Sequence, residues 1–246
     1  MKVFGGPAFS HGDRIEADGL PVRLAVNARA RRISLRVDRI RREIIAIAPT
    51  ARRLGEAVAF AREKAEWIAG QLADLPDNQP LSPGMEIELF GLPCDLVGGA
   101  GRAKFIPAEP MGRASIAAPA DAAYGDRALR LIKAEARRWL TDRTVHYADM
   151  LGRPMPKVSI TDTRGRWGSC KPASARAPAS IRYSWRLALS PAAVADYVVA
   201  HECAHLIEAN HGPRFWAIVH ELVGDHAPYR AWLKREGARL HAFGRS

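Results

Sequence analysis

The residues best suited to chemistry lie close together near the C-terminus, where residues 201–216 read His-Glu-Cys-Ala-His-Leu-Ile-Glu-Ala-Asn-His-Gly-Pro-Arg-Phe-Trp. Residues four apart on an α-helix lie one turn above each other, so His201 and His205 are expected to share a metal ion. Glu202 lies beside that face, where its carboxylate can take a proton from a metal-bound water without ligating the ion. The pattern predicts a hydrolytic Zn²⁺ site with Glu202 as the catalytic base.

A third metal ligand has to come from a neighbouring side chain. Glu208 shares roughly the same helix face as His201 and His205, so an uninterrupted helix would offer its carboxylate. His211 can ligate only if the chain leaves the helix first, and Asn210 and Gly212-Pro213 are residues that end helices. We therefore predict three metal ligands and keep four alternatives. The predicted ligands are His201, His205 and His211, and the alternatives are Glu208, His220, Glu221 and His226.

The elements that must position these residues can be read from the apolar pattern. Residues 190–209 are predicted to form one largely buried helix, with Ser190 as its cap and Pro191 in its first turn. Phe215 and Trp216 are expected to pack beneath the site. Upstream, residues 126–150 have the spacing of a long helix, and residues 157–161, 166–170 and 181–189 are predicted strands.

Substrate binding requires a segment that holds the peptide and a group that stabilises the oxyanion. An edge strand near the metal can pair with an extended peptide, and residues 166–170 or 181–189 are the candidates. The group that would stabilise a developing oxyanion is left open among four residues, which are Tyr183, Arg186, Tyr229 and Arg230.

The N-terminal half is predicted to be rich in strands. Residues 22–26, 33–37 and 44–48 indicate a small antiparallel sheet, and residues 54–75 a helix. After a Pro-rich break, strands are predicted at residues 85–89, 93–97, 103–106 and 114–117, with no evident internal repeat. We expect three parts: a basic region over 1–80, a connecting segment over 81–124 and a catalytic domain over 125–246.

Charge and cysteine content narrow the partners and the compartment. The formal net charge is +11, and ten arginines fall between Arg23 and Arg53. Such a stripe suits a nucleic-acid backbone or an acidic partner, although no interleaved aromatic residues support base stacking. Three widely separated cysteines, Cys94, Cys170 and Cys203, predict reduced thiols. Cys203 is expected in the core, and Cys170 is left open between a place near the site and the commoner role of a buried structural cysteine. No apolar run is long enough to cross a bilayer, so we expect no membrane contact and a cytoplasmic location.

Three motifs resemble those of a known family. Residues 166–170 (Arg-Trp-Gly-Ser-Cys), 181–187 (Ile-Arg-Tyr-Ser-Trp-Arg-Leu) and 201–216, in that order, resemble the YgjP-like zinc metallopeptidases, and residues 211–215 are also similar to the SprT and Spartan group. The resemblance implies a zincin, with His201, His205 and His211 as ligands and Glu202 as catalytic residue. Metzincins carry Gly where this chain has Glu208, so their tight turn is not expected.

The sequence thus predicts an α+β fold, in which a zincin-like catalytic domain with a mixed or antiparallel sheet and a metal-bearing helix follows a smaller strand-rich region. The predicted function is zinc-dependent cleavage of peptide bonds in a polypeptide substrate. One alternative is a zinc-dependent nucleotide phosphohydrolase, which lacks the support of a Gly-rich phosphate loop. Another is a noncatalytic, zinc-containing nucleic-acid-binding protein, although structural zinc normally has four protein ligands.

Overall fold

Strands form where apolar and polar residues alternate, and helices form where apolar residues recur every three or four positions, which confirms the predicted α+β class. The computed structural model describes residues 9–38, 41–109, 112–163 and 165–244. The chain divides into two compact units, residues 1–77 and 78–246.

The first unit is a four-stranded sheet covered on one face by two helices. Its strands are β1 (Arg14–Ala17), β2 (Leu20–Val26), β3 (Ser34–Asp38) and β4 (Glu43–Ala48), in the order β1-β2-β4-β3. The helices are α1 (Leu54–Glu63) and α2 (Ala65–Ala73), so the predicted helix over 54–75 is interrupted at Lys64. Alternate residues such as Val22 and Leu24 face the core that they share with Leu54 and Val58.

The prediction of an antiparallel sheet is wrong in one respect, because β2 and β4 run parallel. After β2 the chain crosses to the edge of the sheet, where it forms β3. It then turns back to form β4 between β3 and β2, antiparallel to β3 and parallel to β2. An interior place suits β4, whose residues are almost all buried, because both of its edges are paired there and its buried backbone groups are hydrogen-bonded.

The arginine stripe of this unit is partly neutralised by carboxylates. Arg23 donates to Glu43 at 2.8 Å, and Arg53 pairs with Glu56 at 2.7 Å. Other arginines of the stripe are exposed, among them Arg29, Arg31, Arg32, Arg36 and Arg52. Arg39 also belongs to the stripe, but it lies outside the described residues. Binding of nucleic acid by this stripe stays a prediction.

The second unit opens with a sheet that repeats the topology of the first. Its strands are β5 (Glu86–Leu89), β6 (Leu92–Gly98), β7 (Lys104–Ile106) and β8 (Ala114–Ala118), in the order β5-β6-β8-β7, with β6 and β8 parallel. The tight turn is repeated as well, since Asp18 and Phe90 have φ of 53° and Gly19 and Gly91 have φ of 77°. The absence of a repeat was therefore a wrong prediction. The sequence signal is short: Ile-Glu-x-x-Gly-Leu-Pro at residues 15–21 and again at 87–93.

The remainder of the second unit holds the long helix and a third sheet. Helix α3 (Tyr124–Met150) precedes β9 (Lys157–Thr161), β10 (Gly168–Lys171) and β11 (Ser180–Ser184), whose order is β10-β11-β9. Helices α4 (Ala192–Ala204), α5 (Pro213–Val223) and α6 (Ala227–Ala242) complete the chain. The second sheet, α3, β11 and α4 share one hydrophobic core that contains the fully buried Tyr183, Trp185 and Phe215.

Two local predictions around the start of α4 are wrong. The strand predicted over 181–189 ends at Ser184, because Trp185–Leu189 forms a buried 3₁₀ helix whose first turn is closed by the Arg186 N–H donating to the Ser184 hydroxyl at 3.4 Å. Ser190 does not cap α4, since its hydroxyl donates to the Leu187 carbonyl at 2.8 Å. In the described part of the chain, no helix is long and apolar enough to cross a membrane.

Candidate metal centre

Helix α4 carries His201 and Glu202 and ends immediately before His205. It stops at Ala204 rather than at residue 209, so the prediction of one helix over 190–209 is wrong. The amides of Leu206 and Ile207 donate to carbonyls three residues back, at 2.9 and 3.0 Å, as in a tightened last turn. The helix therefore ends before Glu208, and this earlier exit brings the chain back toward His201.

The exit places three imidazoles together. The ligand atoms of His201, His205 and His211 all lie within 4.8 Å of one another, and no other group of metal-binding spacing occurs among the described residues. The Nε2 atoms of His201 and His211 are 3.1 Å apart. Two nitrogens bound to one tetrahedral zinc at about 2.0–2.1 Å lie roughly 3.3 Å apart. The spacing and the nitrogen donors therefore fit a zinc ion.

Burial keeps His201 and His205 in the neutral form that binds metals. Burial lowers the pKa of His201 to about 3, and the neighbouring His205 and His211 lower it further. Burial also lowers the pKa of His205. The Nδ1 of His205 lies 2.9 Å from the Glu208 carbonyl oxygen, which can only accept, so Nδ1 carries the proton and Nε2 is free for a metal.

Phe215 and Trp216 pack against the histidines, as predicted. Phe215 is fully buried, and its ring centroid lies 4.8, 4.5 and 4.7 Å from the rings of His201, His205 and His211. The Trp216 ring centroid lies 5.8 Å from the ring centroids of His201 and His211. Because Pro213 begins α5 directly after the loop, this apolar floor fixes the orientation of the imidazoles.

Glu202 lies on the same helix and is buried against β10. A Cβ on Gly168 would lie 2.6 Å from Cγ and Oε1 of Glu202, so only glycine admits the carboxylate at this distance. The backbone N–H of Cys170 donates to that carboxylate. Burial raises the pKa of Glu202 to about 7, although the Cys170 hydrogen bond and the positive charge of Arg166 oppose the shift.

The histidines and Glu202 open into one cleft of about 440 Å³. The wall opposite the histidines comes mainly from β10 and the residues around it, which are Arg166, Gly168, Ser169, Cys170 and Pro172. Strand β10 lies at the edge of its sheet, whereas β11 pairs on both sides. Of the two segments predicted to receive a peptide, residues 166–170 contain most of the strand that has one edge unpaired by any described strand.

The alternative ligands do not join the histidine group. The Glu208 carboxylate accepts the Asn210 N–H at 3.2 Å. His220 and Glu221 are exposed near the end of α5, and the His226 ring stacks on Trp216 at 4.7 Å. These contacts leave His211 as the side chain that meets His201 and His205.

None of the four predicted oxyanion partners lines the cleft. Tyr183 is fully buried, with its hydroxyl 3.0 Å from Thr144 Oγ1. Arg186 is buried in an ion pair with Asp162. Tyr229 stacks on Tyr197 and Arg230 lies over Trp216. The cation that does line the cleft is Arg166, which sequence reasoning did not single out as a functional residue.

Cys203 lies in the core, as predicted, and the open question of Cys170 is answered by its place in the cleft. Cys170 lines the cleft, and burial raises its pKa to about 12, so it is a neutral thiol near pH 7. Cys203 lies in the core, and burial likewise raises its pKa to about 12. Neither thiol belongs to the histidine group.

The cleft combines a His-Glu-x-x-His segment at the end of α4 with a histidine from the following loop, an arrangement typical of the metallopeptidase class. Comparison with protein-family profiles matches residues 31–236 to the family described as YgjP-like, metallopeptidase domain. The chain therefore belongs to the YgjP-like family. A search of curated proteins and a search of solved structures found no significant match.

Proposed function

We propose that this protein is a zinc-dependent metallopeptidase, with His201, His205 and His211 as zinc ligands and Glu202 as general base. The observation that carries the proposal is the meeting of three imidazoles, within 4.8 Å of one another, with a buried carboxylate in one cleft of a metallopeptidase-family chain. Three protein ligands leave a coordination position open, as in catalytic zinc sites.

A bound zinc ion would supply the activation of a water molecule and the polarisation of the scissile carbonyl. Glu202 accepts the proton of the attacking water and passes it to the leaving amide nitrogen. Its burial supports this role, because a pKa raised to about 7 makes the carboxylate a stronger base than an exposed glutamate. Gly168 and the Cys170 N–H position this carboxylate.

A polypeptide substrate fits the wall of the cleft. The free edge of β10 carries backbone N–H and C=O groups beside Glu202, and these groups can pair with an extended peptide. Such pairing would hold the scissile bond without depending on particular side chains. Arg166 extends the same wall, where its guanidinium can donate to a substrate carbonyl.

The experiment compares wild type with Glu202→Gln after loading both with zinc. Each is incubated with an unfolded polypeptide and, separately, with a panel of nucleoside triphosphates. We expect the wild type to cleave the polypeptide and Glu202→Gln to bind zinc with less than about one thousandth of the activity. Hydrolysis of nucleotides without peptide cleavage would contradict the proposal, and so would a fully active Glu202→Gln protein.

A further inference from the structure

The segment that builds the third sheet is strongly basic. Between residues 152 and 191 the chain has eight Lys and Arg residues, and its single acidic residue is Asp162. Asp162 pairs with the buried Arg186, and Arg164 lies outside the described residues. Six exposed cations remain, and none forms an ion pair with a described residue: Arg153, Lys157, Arg166, Lys171, Arg176 and Arg182.

Strand register places three of these cations on one face of the sheet. Ser180 of β11 lies between Lys171 of β10 and Lys157 of β9, and in the next row Arg182 lies between Ser169 and Ser159. Paired residues point to the same side of a sheet, and residues two apart repeat that side. We call this surface the basic face, comprising Lys157, Lys171, Arg182 and the three serines.

The opposite side of the sheet faces the core and Glu202, and Ser169 of the basic face also lines the cleft. Ile181 and Tyr183 are fully buried there, and Gly168 approaches Glu202. Strand β10 therefore contributes to both sides of the sheet: Gly168 approaches the Glu202 carboxylate, and Ser169 and Lys171 belong to the basic face. No other strand of the described residues pairs with its outer edge.

A peptide added to that edge would present its side chains alternately to the two sides of the sheet. Peptide residues on the outer side would lie about 5 Å, one strand spacing, from Ser169 and Lys171 of β10. They would lie about 10 Å, two strand spacings, from Arg182 of β11, a distance that a long cationic side chain can span. Outer-side substrate residues therefore lie within reach of Lys171 and Arg182.

We propose that this protein prefers polypeptide segments rich in Asp and Glu, whose outer-side carboxylates bind the basic face through Lys171 and Arg182. The turnover part of this inference rests on the proposed peptidase function, and the binding part does not. Carboxylates two residues apart on a strand are about 7 Å apart, similar to the spacing of the two rows of the basic face. The strand edge pairs with a peptide backbone and not with a nucleic acid, and the described residues of this face include no aromatic ring for stacking bases.

The test uses the zinc-loaded full chain and three fluorogenic peptides that differ only at alternate positions, carrying Glu, Gln or Lys. The variant is Lys171→Glu/Arg182→Glu, and the matched control is Arg130→Glu, which reverses the charge of an exposed arginine in a different depression. For wild type we expect kcat/KM to fall in the order Glu, Gln, Lys. The double variant should lower kcat/KM for the Glu peptide about tenfold through KM, with kcat unchanged, because two exposed charge contacts are reversed. Arg130→Glu should match wild type, and added salt should reduce the preference.

The outcomes separate this inference from the proposed function. If wild type cleaves the three peptides equally, the inference is overturned and the peptidase function stands. If wild type cleaves none of the peptides, the peptidase function fails. The binding part of the inference is then tested by measuring the affinity of labelled peptides for Glu202→Gln. Tighter binding of the Glu peptide, lost in the double variant, supports the inference, and equal binding overturns it. If the double variant loses binding to a single-stranded DNA oligomer while its affinity for the Glu peptide is unchanged, the basic face binds nucleic acid and the inference is overturned as well.

Discussion

The first and second sheets have the same strand order and the same tight turn, but they are used differently. The first sheet packs on α1 and α2 around its own core. The second shares its core with α3 and α4, and its turn contacts the segment leading into α4. There the Phe90 N–H donates to the Ala188 carbonyl at 2.6 Å, and the Phe90 ring stacks on Trp139 at 4.2 Å. The corresponding Asp18-Gly19 turn is exposed.

The comparison shows how one small fold serves either as a closed unit or as a support for a site. The difference lies in the turn residue rather than in the strand order. Aspartate at the first turn suits solvent, whereas phenylalanine at the second fills a place beside α3. Changes in the two copies should therefore affect different properties of the protein.

The largest effect is expected when the second turn is made like the first. Phe90→Asp removes the stacking on Trp139 and should lower the free energy of unfolding by about 4 kcal/mol, with loss of peptidase activity. Aspartate tolerates the left-handed backbone of this position, so the loss reflects the missing ring and the burial of a carboxylate rather than backbone strain. The reciprocal Asp18→Phe should cost only about 1 kcal/mol and retain activity. Chemical denaturation measures both, and equal losses would show that the copies do not differ in role.

Removal of the loop histidine should affect only the site. His211→Ala is expected to weaken zinc binding about a hundredfold or more, because one of three ligands is lost. Glu208→Ala is the control, since that carboxylate accepts a loop amide and does not join the histidine group. Zinc titration against a chelating dye measures both affinities. Unchanged affinity in His211→Ala, with a loss in Glu208→Ala, would reverse the ligand assignment.

A smaller and purely kinetic effect is expected at β10. Gly168→Ala places a Cβ where the Glu202 carboxylate lies, and a displacement of about 1 Å should lower kcat roughly a hundredfold. Zinc affinity and KM should stay near wild type, because neither depends on Glu202. Gly165→Ala is the control, since its added Cβ would have no atom within 4 Å. Wild-type kcat in Gly168→Ala would argue that the close approach has no catalytic role.

The smallest expected effect compares the two turn glycines. Asparagine tolerates their positive φ, so Gly19→Asn should change stability by only a few tenths of a kcal/mol. Gly91→Asn should cost about 1 kcal/mol more, because an added Cβ would lie 3.6 Å from Pro191 Cα and 3.8 Å from Ala192 N, which restricts the side-chain rotamers beside the start of α4. Thermal unfolding of the pair measures the difference, and equal values would mean that the second turn is as free as the first.

Sequence reasoning identified the elements and the cluster of histidines because both depend on local spacing. The pattern from His201 to His211 already required a helix followed by an exit. It did not reveal where the helix ends, because the bond between His205 Nδ1 and the Glu208 carbonyl forms only once the chain has turned. Apolar residues over 181–189 fit a strand as well as a buried 3₁₀ helix.

Contacts between distant residues were beyond such reasoning. Nothing in the sequence indicates that Gly168 meets Glu202, since their approach depends on how β10 packs against α4. The basic face likewise depends on the register that aligns Lys171, Ser180 and Lys157. The repeat left a readable signal, but its few identical residues surround the turn, where both copies need the same backbone conformation.

The central claim is a zinc ion held by three histidines with an open position beside Glu202. X-ray absorption spectroscopy at the zinc edge of the full-length, zinc-loaded protein tests it most directly. We expect one zinc per chain, with three imidazole nitrogens at about 2.0–2.1 Å and one oxygen ligand from solvent, and the same spectrum for Glu202→Gln. A sulfur ligand, four protein ligands, or the same three-imidazole spectrum in His211→Ala would contradict it.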